Sequence, residues 1–202
     1  MEILLSPAKK MRRDTDTLAP AGLPLFVEQA QTLASYLGAL SYGELEKLLG
    51  CNDAIAQENF ERYRQMDLRS GLTPAILAYQ GIQYQYMAPQ VFTDRQFAYV
   101  QDHVWILSGL YGLLRPLDGV TPYRLEMQAR LEAPFAKSLY QFWGDRLYQA
   151  LAERTQCLVN LASAEYARAV LPYGQPGMEI VTCLFAQEEG GKLVQKGVHV
   201  KM

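Results

Sequence analysis

Four stretches of the chain set polar or charged side chains beside glycine or proline directly after an apolar run. Strand exits of this kind are where strand-and-helix proteins commonly carry ligand contacts. The first is Ser6-Pro7-Ala8-Lys9. Serine and lysine are the residue types of a nucleophile and its base, but nothing in the spacing faces one on the other. A Lys9 that contacts an anion is the favoured reading. The second, Ser108-Gly109-Leu110-Tyr111-Gly112, runs into Leu114-Arg115-Pro116-Leu117-Asp118. Two glycines let a backbone approach a ligand closely, and Arg115 offers a planar fork for phosphate. An Arg115–Asp118 pair that only stiffens the turn explains the residues equally well. No GxxxxGK[ST] pattern is present, so this is not a nucleoside-triphosphate loop.

The third stretch, Pro122-Tyr123-Arg124-Leu125-Glu126, combines an aromatic, a cation and a carboxylate. That set suits base stacking with phosphate contact, and equally an internal salt bridge. In the fourth, Asn160-Leu161-Ala162-Ser163 is followed by Glu165 and Tyr166 at a strand-to-helix passage. The helix N-terminus could hold an anion, while capping by Ser163 is the plainer account. A different pattern spans Ser41 to Tyr63, where Leu49-Gly50-Cys51-Asn52 joins two short helices like the turn of a helix-hairpin-helix. Backbone N–H groups of such a hairpin can point at a phosphate without reading sequence, although many helical hairpins bind nothing.

The elements that must position these residues follow from periodicity. Glu2 to Leu5 reads as a buried strand ended by Ser6-Pro7. Phe26, Ala30, Leu33, Leu37 and Leu40 mark one helix face, with Pro24 in its first turn. Ser41–Glu44 and Thr93–Gln96 fit capping boxes, Gly50 can end a helix, and Asn52 or Asp53 can cap the next. That helix is predicted to bury Ile55, Ala56, Phe60 and Tyr63. Strands are predicted over Ala75 to Tyr79, Val104 to Leu107 and Cys157 to Leu161, and one long helix over Lys137 to Arg154. The tail reads as a hairpin of Glu179 to Ala186 and Leu193 to Val200, turning at Gly190-Gly191. Strands and helices do not alternate strictly, so the fold class is α+β, a mixed β-sheet surrounded by helices.

The chain has 202 residues, half of them hydrophobic, which predicts one domain, 1–202, with a substantial core. No run reaches the ~18 apolar residues of a membrane helix, and MEILLSPAKKM does not read as a signal peptide. Cys51, Cys157 and Cys183 lack framework or zinc spacing, which suggests reduced thiols in the cytoplasm. No cofactor or metal is expected, and direct iron binding is disfavoured with only His103 and His199 available. Net charge is −2, so nucleic-acid binding would need a local basic face. Candidates are Lys9, Lys10, Arg12 and Arg13; Arg62, Arg64 and Arg69; and Lys192, Lys196 and Lys201. Each alone reads as solvated surface.

Together the strings LLSPAK, AILAYQG, LSGLYGLLRPLD, PYRLEM, LYQFWGD and NLASAEY resemble the YaaA family in order and spacing across nearly the whole chain. The resemblance implies a family-specific α+β fold with a helix-hairpin-helix element, a basic cleft for double-stranded DNA, and a role in the hydrogen peroxide response linked to iron homeostasis. Carried over by motif, the cleft residues are Lys9, Arg115, Asp118, Tyr123, Arg124, Glu126, Asn160, Ser163 and Tyr166, with Leu49, Gly50, Cys51 and Asn52 forming the hairpin. No catalytic residue is carried over, and a monomer is expected. The family often has an acidic residue and a glycine where Ile82 and Tyr86 stand here. Its members usually continue through a basic Ala-Arg-Gly segment beyond the position of Met202, so a truncated chain with weakened DNA affinity is expected.

Two functional classes emerge. One is a DNA-binding stress protein that grips the backbone. The other is an enzyme acting on a nucleotide, a damaged base or a nucleic-acid end, with Arg115 and Arg124 on phosphate and Asp118 or Glu126 as acid or base. Cys51 could serve as a peroxide-sensing thiol, but a partly buried small residue is the favoured account.

Overall fold

The computed structural model describes residues 1–183 and 186–195. Strand β1 (Glu2–Leu5) and the short β2 (Lys10–Met11) open the chain. Helix α1 (Val27–Ala39) buries Ala30, Leu33, Ala34 and Leu37, the face its spacing predicts. Helix α2 (Tyr42–Leu49) begins at the expected capping box, Ser41 accepting from the Glu44 N–H and Glu44 from the Ser41 N–H. Gly50 closes it in the left-handed conformation at φ 57°. Asn52 Oδ1 then accepts the Ile55 N–H at 3.0 Å and caps α3 (Asp53–Arg64).

Next come β3 (Thr73–Pro74), α4 (Ala75–Ala78) and β4 (Tyr79–Gln80). The strand predicted over Ala75 to Tyr79 is therefore mostly a buried helical turn. A short apolar run has no period that separates a strand from a buried helix. Neighbours decide it, because the Ala75 and Ile76 N–H groups donate to the Asp118 and Pro116 carbonyls, each at 2.9 Å. Helices α5 (Ile82–Met87) and α6 (Asp94–His103) follow, α6 starting at the predicted Thr93–Gln96 box. Strands β5 (Val104–Ser108), β6 (Gly112–Leu114) and β7 (Gly119–Val120) precede α7 (Leu139–Trp143) and α8 (Arg146–Ala152). The single helix predicted over Lys137 to Arg154 is broken at Gly144, whose φ of 52° and ψ of −135° suit glycine alone.

Strand β8 (Cys157–Asn160), α9 (Ala164–Ala167), β9 (Glu179–Thr182), β10 (Ala186–Glu189) and β11 (Lys192–Gln195) complete the described chain. The tail differs from the predicted hairpin. β9 pairs parallel with β8, Leu158 opposite Ile180, while the hairpin is β10–β11 turning at Gly190-Gly191. The free edge of β8 offers β9 a full ladder, so the first predicted strand divides between two sheets. Its predicted extension to Val200 lies outside the described residues, as do Lys196, His199 and Lys201.

The main sheet is mixed, in the order β6-β5-β1-β8-β9, with β6 antiparallel at one edge and the other four strands parallel. Leu4, Ile106 and Leu158 in its centre are fully buried. This sheet and its surrounding helices make the fold α+β. Parallel alignment has a direct consequence for function, since β1, β5 and β8 all end at one edge and deliver Ser6, Ser108 and Asn160 there. Glu2, Val104 and Cys157 begin these strands at the opposite edge.

Candidate functional site

Residues 121–126 pass without regular structure beside the carboxyl ends of these strands before a turn at Met127, and burial alternates along 121–127. Thr121, Tyr123, Leu125 and Met127 are buried, whereas Pro122, Arg124 and Glu126 are partly exposed. The period of two turns Arg124 and Glu126 outward together. Glu126 bridges two cations, Lys9 Nζ at 2.8 Å and Arg124 Nη2 at 2.7 Å. Beneath them the Tyr123 hydroxyl lies between Tyr79 Oη at 2.8 Å and Ser108 Oγ at 2.6 Å. Burial pushes the Tyr123 phenol up to about 12. It is a hydrogen-bonding post under the cleft rather than an open stacking platform.

Lys9 and Arg124 line a recess of about 280 Å³ together with Lys10, Arg62 and Asn59. Neighbouring recesses share Met11 and Arg62 with it, or Lys10 and Gln80, and add Arg12 and Arg13. Two basic clusters separated by some fifty residues of sequence, Lys9–Arg13 and Arg62, thus line a row of adjoining recesses, a basic groove, with Arg124 at the first of them. Arg12 pairs with Asp14 at 3.0 Å and Arg62 with Glu58 on the same helix face.

The other predicted residues divide between the two sheet edges. Ser6 Oγ accepts the Ser163 N–H at 2.8 Å and lies 3.3 Å from Ser163 Oγ. Ser163 therefore makes no side-chain cap for α9, and Ser6 faces Ser163 rather than Lys9. Asn160 is buried, its Oδ1 accepting from the Ala162 N–H at 3.0 Å, so it shapes the turn after β8. Tyr166 is largely buried beside the Met127 N–H, and burial raises its phenol. Between them Glu165 Oε1 accepts the Gln128 N–H at 3.2 Å. Burial, reinforced by the charge of Glu126, holds its carboxyl above the usual range.

Arg115 and Asp118 lie elsewhere. Arg115 stacks over Trp105 at 4.0 Å and donates to the Gln101 and Asp102 carbonyls at 2.7 and 3.0 Å. Its other neighbour is Glu2 at 3.7 Å, which places it at the amino-terminal edge of the sheet. β6 is antiparallel, and its exit therefore points away from the cleft. Asp118 Oδ2 accepts the Arg115 N–H at 2.8 Å, so the carboxylate ties the turn through backbone rather than through the guanidinium.

The family-model comparison matches residues 1–202 to the description "Peroxide stress protein YaaA". The chain belongs to the YaaA family. This gives it a role in peroxide stress. Relatives include a UPF0246 protein of Desulfitobacterium hafniense, 51% identical over the whole chain and 80% of the relative. A second, from Lachnoclostridium phytofermentans, is 50% identical over the whole chain and 79% of the relative.

In this YaaA-family chain the predicted hairpin residues pack as a helix-to-helix turn. Leu49 is buried, Cys51 packs against the core, and Asn52 occupies the Ile55 N–H. Burial pushes the Cys51 thiol up, and Arg124 opposes this only in part. Thiolate is the reacting form, so Cys51 should be alkylated by iodoacetamide at pH 7 more slowly than free cysteine. Peptide mass spectrometry over a time course measures this, and a rate at or above that of free cysteine would contradict it. Among the described residues, no three His, Cys, Asp or Glu side chains gather as a metal-ion cluster. No helix there is long and apolar enough to cross a membrane.

The sequence motifs did not include Asn59. A signal was nevertheless present, because Ala56, Asn59 and Tyr63 occupy one buried face of α3 at spacings of three and four. A polar residue on an apolar stripe needs an explanation.

Proposed function

We propose that this chain binds double-stranded DNA in the peroxide response, gripping phosphates along the Lys9–Arg13, Arg62 and Arg124 groove. One observation carries the proposal: a chain of net charge −2 concentrates cations from three separate parts of its sequence on one face. Glu126, Asp14 and Glu58 offset four of these cations, Lys10 and Arg13 have no ion-pair partner among the described residues, and a polyphosphate backbone supplies a row of charges that matches the face. Helix α3 lines the groove with Ile55, Glu58, Asn59 and Arg62, and in this reading it forms a helix-hairpin-helix element with α2. The Ile55 N–H is already taken by Asn52, so side chains rather than the α3 N-terminus carry most of the grip.

Fluorescence anisotropy with a short labelled duplex tests this. Affinity should fall steeply between about 50 and 200 mM salt. Lys10 and Arg13 are exposed, and Lys10→Ala/Arg13→Ala should reduce the salt slope by about two, roughly one for each phosphate contact. An absence of binding at low salt would refute the proposal.

A second reading, an enzyme acting on a nucleotide or nucleic-acid end, is favoured by Glu165. Its carboxyl is raised by burial beside the groove and faces the charge of Lys9, a combination suited to general acid catalysis. Turnover of a labelled oligonucleotide that disappears in Glu165→Gln would support it over binding alone.

A further inference from the structure

We infer that the DNA contact surface continues past Glu126 and Glu165 to Arg168, whose guanidinium, laid on the Tyr140 ring, takes a further backbone phosphate. The inference rests on the DNA-binding proposal and carries it to a part of the chain outside the groove. Arg168 follows α9 in helical conformation, three residues after Glu165. Residues at that spacing are neighbours on one side of a helical turn. The side of α9 that brings Glu165 within the influence of Glu126 and Lys9 therefore also carries Arg168. Tyr140 of α7 joins the two. Its hydroxyl donates to the Glu165 carbonyl at 2.9 Å, and its ring centre lies 4.8 Å from the Arg168 guanidinium. Arg168 is exposed and makes no ion pair or side-chain hydrogen bond among the described residues.

The chemistry of this pair selects the ligand. Lys9 and Arg124 share Glu126, Arg12 has Asp14 and Arg62 has Glu58. Arg168 has an aromatic face where these have an acidic partner. Cation–π attraction fixes the plane of a guanidinium without occupying its N–H groups. They remain a planar fork that fits two phosphate oxygens at once. A fork held in place beforehand loses less freedom when the phosphate arrives. A backbone already gripped by Lys10 and Arg13 reaches Arg168 as a tethered anion, at high effective concentration. Arg146 supplies an internal comparison, since it is exposed and lies 6.0 Å from the centre of the Phe142 ring. Tyr140 and Phe142 are two residues apart on α7, so their rings leave the helix in nearly opposite directions. Phe142 packs against Phe135 and Trp143.

The test follows binding of the full chain to a labelled duplex of about 20 base pairs, roughly 70 Å long, by anisotropy across a salt series. Arg168→Ala should lower the salt slope by about 0.9 and weaken binding about eightfold at about 0.1 M salt, the effect of one phosphate contact over the decade below 1 M. Arg146→Ala should match the wild-type protein in both. Each variant replaces an exposed side chain, and thermal melts check that both fold. An Arg168→Ala protein with wild-type slope and affinity overturns the inference. So does an Arg146→Ala protein weakened to the same extent, because position would then count for nothing beyond charge. Lys10→Ala/Arg13→Ala separates the two proposals. If it weakens binding and Arg168→Ala does not, the groove stands and its extension falls. If the wild-type protein binds no duplex at low salt, both fall.

Discussion

Gly109→Ala is expected to destabilise the protein by on the order of 3 kcal/mol or more, the upper range for overpacking a closed site. A Cβ at position 109 would stand 2.3 Å from the Leu125 carbonyl oxygen and 3.1 Å from its carbon. Both are backbone atoms, which cannot swing aside like the end of a long side chain. Retreat of the loop is resisted as well, because the Gly109 carbonyl accepts the buried Trp143 Nε1–H at 3.0 Å. The segment that must yield carries Arg124 and Glu126, so the groove is deformed along with the core. For a chain of this length the loss corresponds to a fall of roughly 6–12 °C in melting temperature. Gly43→Ala is the matched control, since it lies in α2 with nothing within 4 Å of the added carbon. It should be neutral or slightly stabilising. Circular dichroism melts would read both variants, and a Gly109→Ala midpoint equal to wild type would refute the packing account.

Asp118→Asn should stabilise the protein at pH 8 by up to about 3 kcal/mol and have little effect near pH 4. Burial pushes the Asp118 carboxyl from its ordinary value of 3.8 up to about 6, against the opposing Arg115 N–H and guanidinium. A carboxyl whose folded-state value is raised stabilises the fold in its protonated form. That contribution is fully present below the unfolded-state value and is lost as pH rises through the folded-state value, here between about 4 and 6. Above pH 6 the wild type therefore bears the cost of a buried charge, while asparagine keeps an acceptor for the Arg115 N–H without it. Denaturant unfolding of both proteins at pH 4, 6 and 8 would measure the difference. A gain that is constant across pH, or largest at pH 4, would contradict the burial account. The raised carboxyl lies at the sheet edge opposite the groove, so its titration bears on stability rather than catalysis.

How far the sequence revealed this arrangement depended on whether a signal was local. Both capping boxes, the Gly50 terminus and the β1, β5 and β8 strands were legible because each is set by adjacent residues. Residues 75–78 were not, since their helical turn is imposed by carbonyls forty residues further on. Gly144 was visible as a residue, but its power to break a helix depends on the φ it adopts. The site shows the same division. Lys9, Arg124 and Glu126 were identifiable as charges after strand exits, and the fold brings them within hydrogen-bond reach. Arg115 looked equally suitable in sequence. The antiparallel direction of β6 carries it to the far edge, and strand direction is a property of the whole sheet.

Glu126 spans Lys9 and Arg124 as a carboxylate tethered in the place a phosphate would take. A tethered competitor acts at the high effective concentration of an intramolecular group. In the proposed DNA complex it would take part in dissociation as well as binding, reclaiming its two cations as soon as a phosphate loosens. If the groove binds DNA as proposed, the consequence is kinetic, with short residence at each position and rapid transfer to the next. Under that proposal the protein would sample a long polyanion quickly and remain only where a further contact holds it.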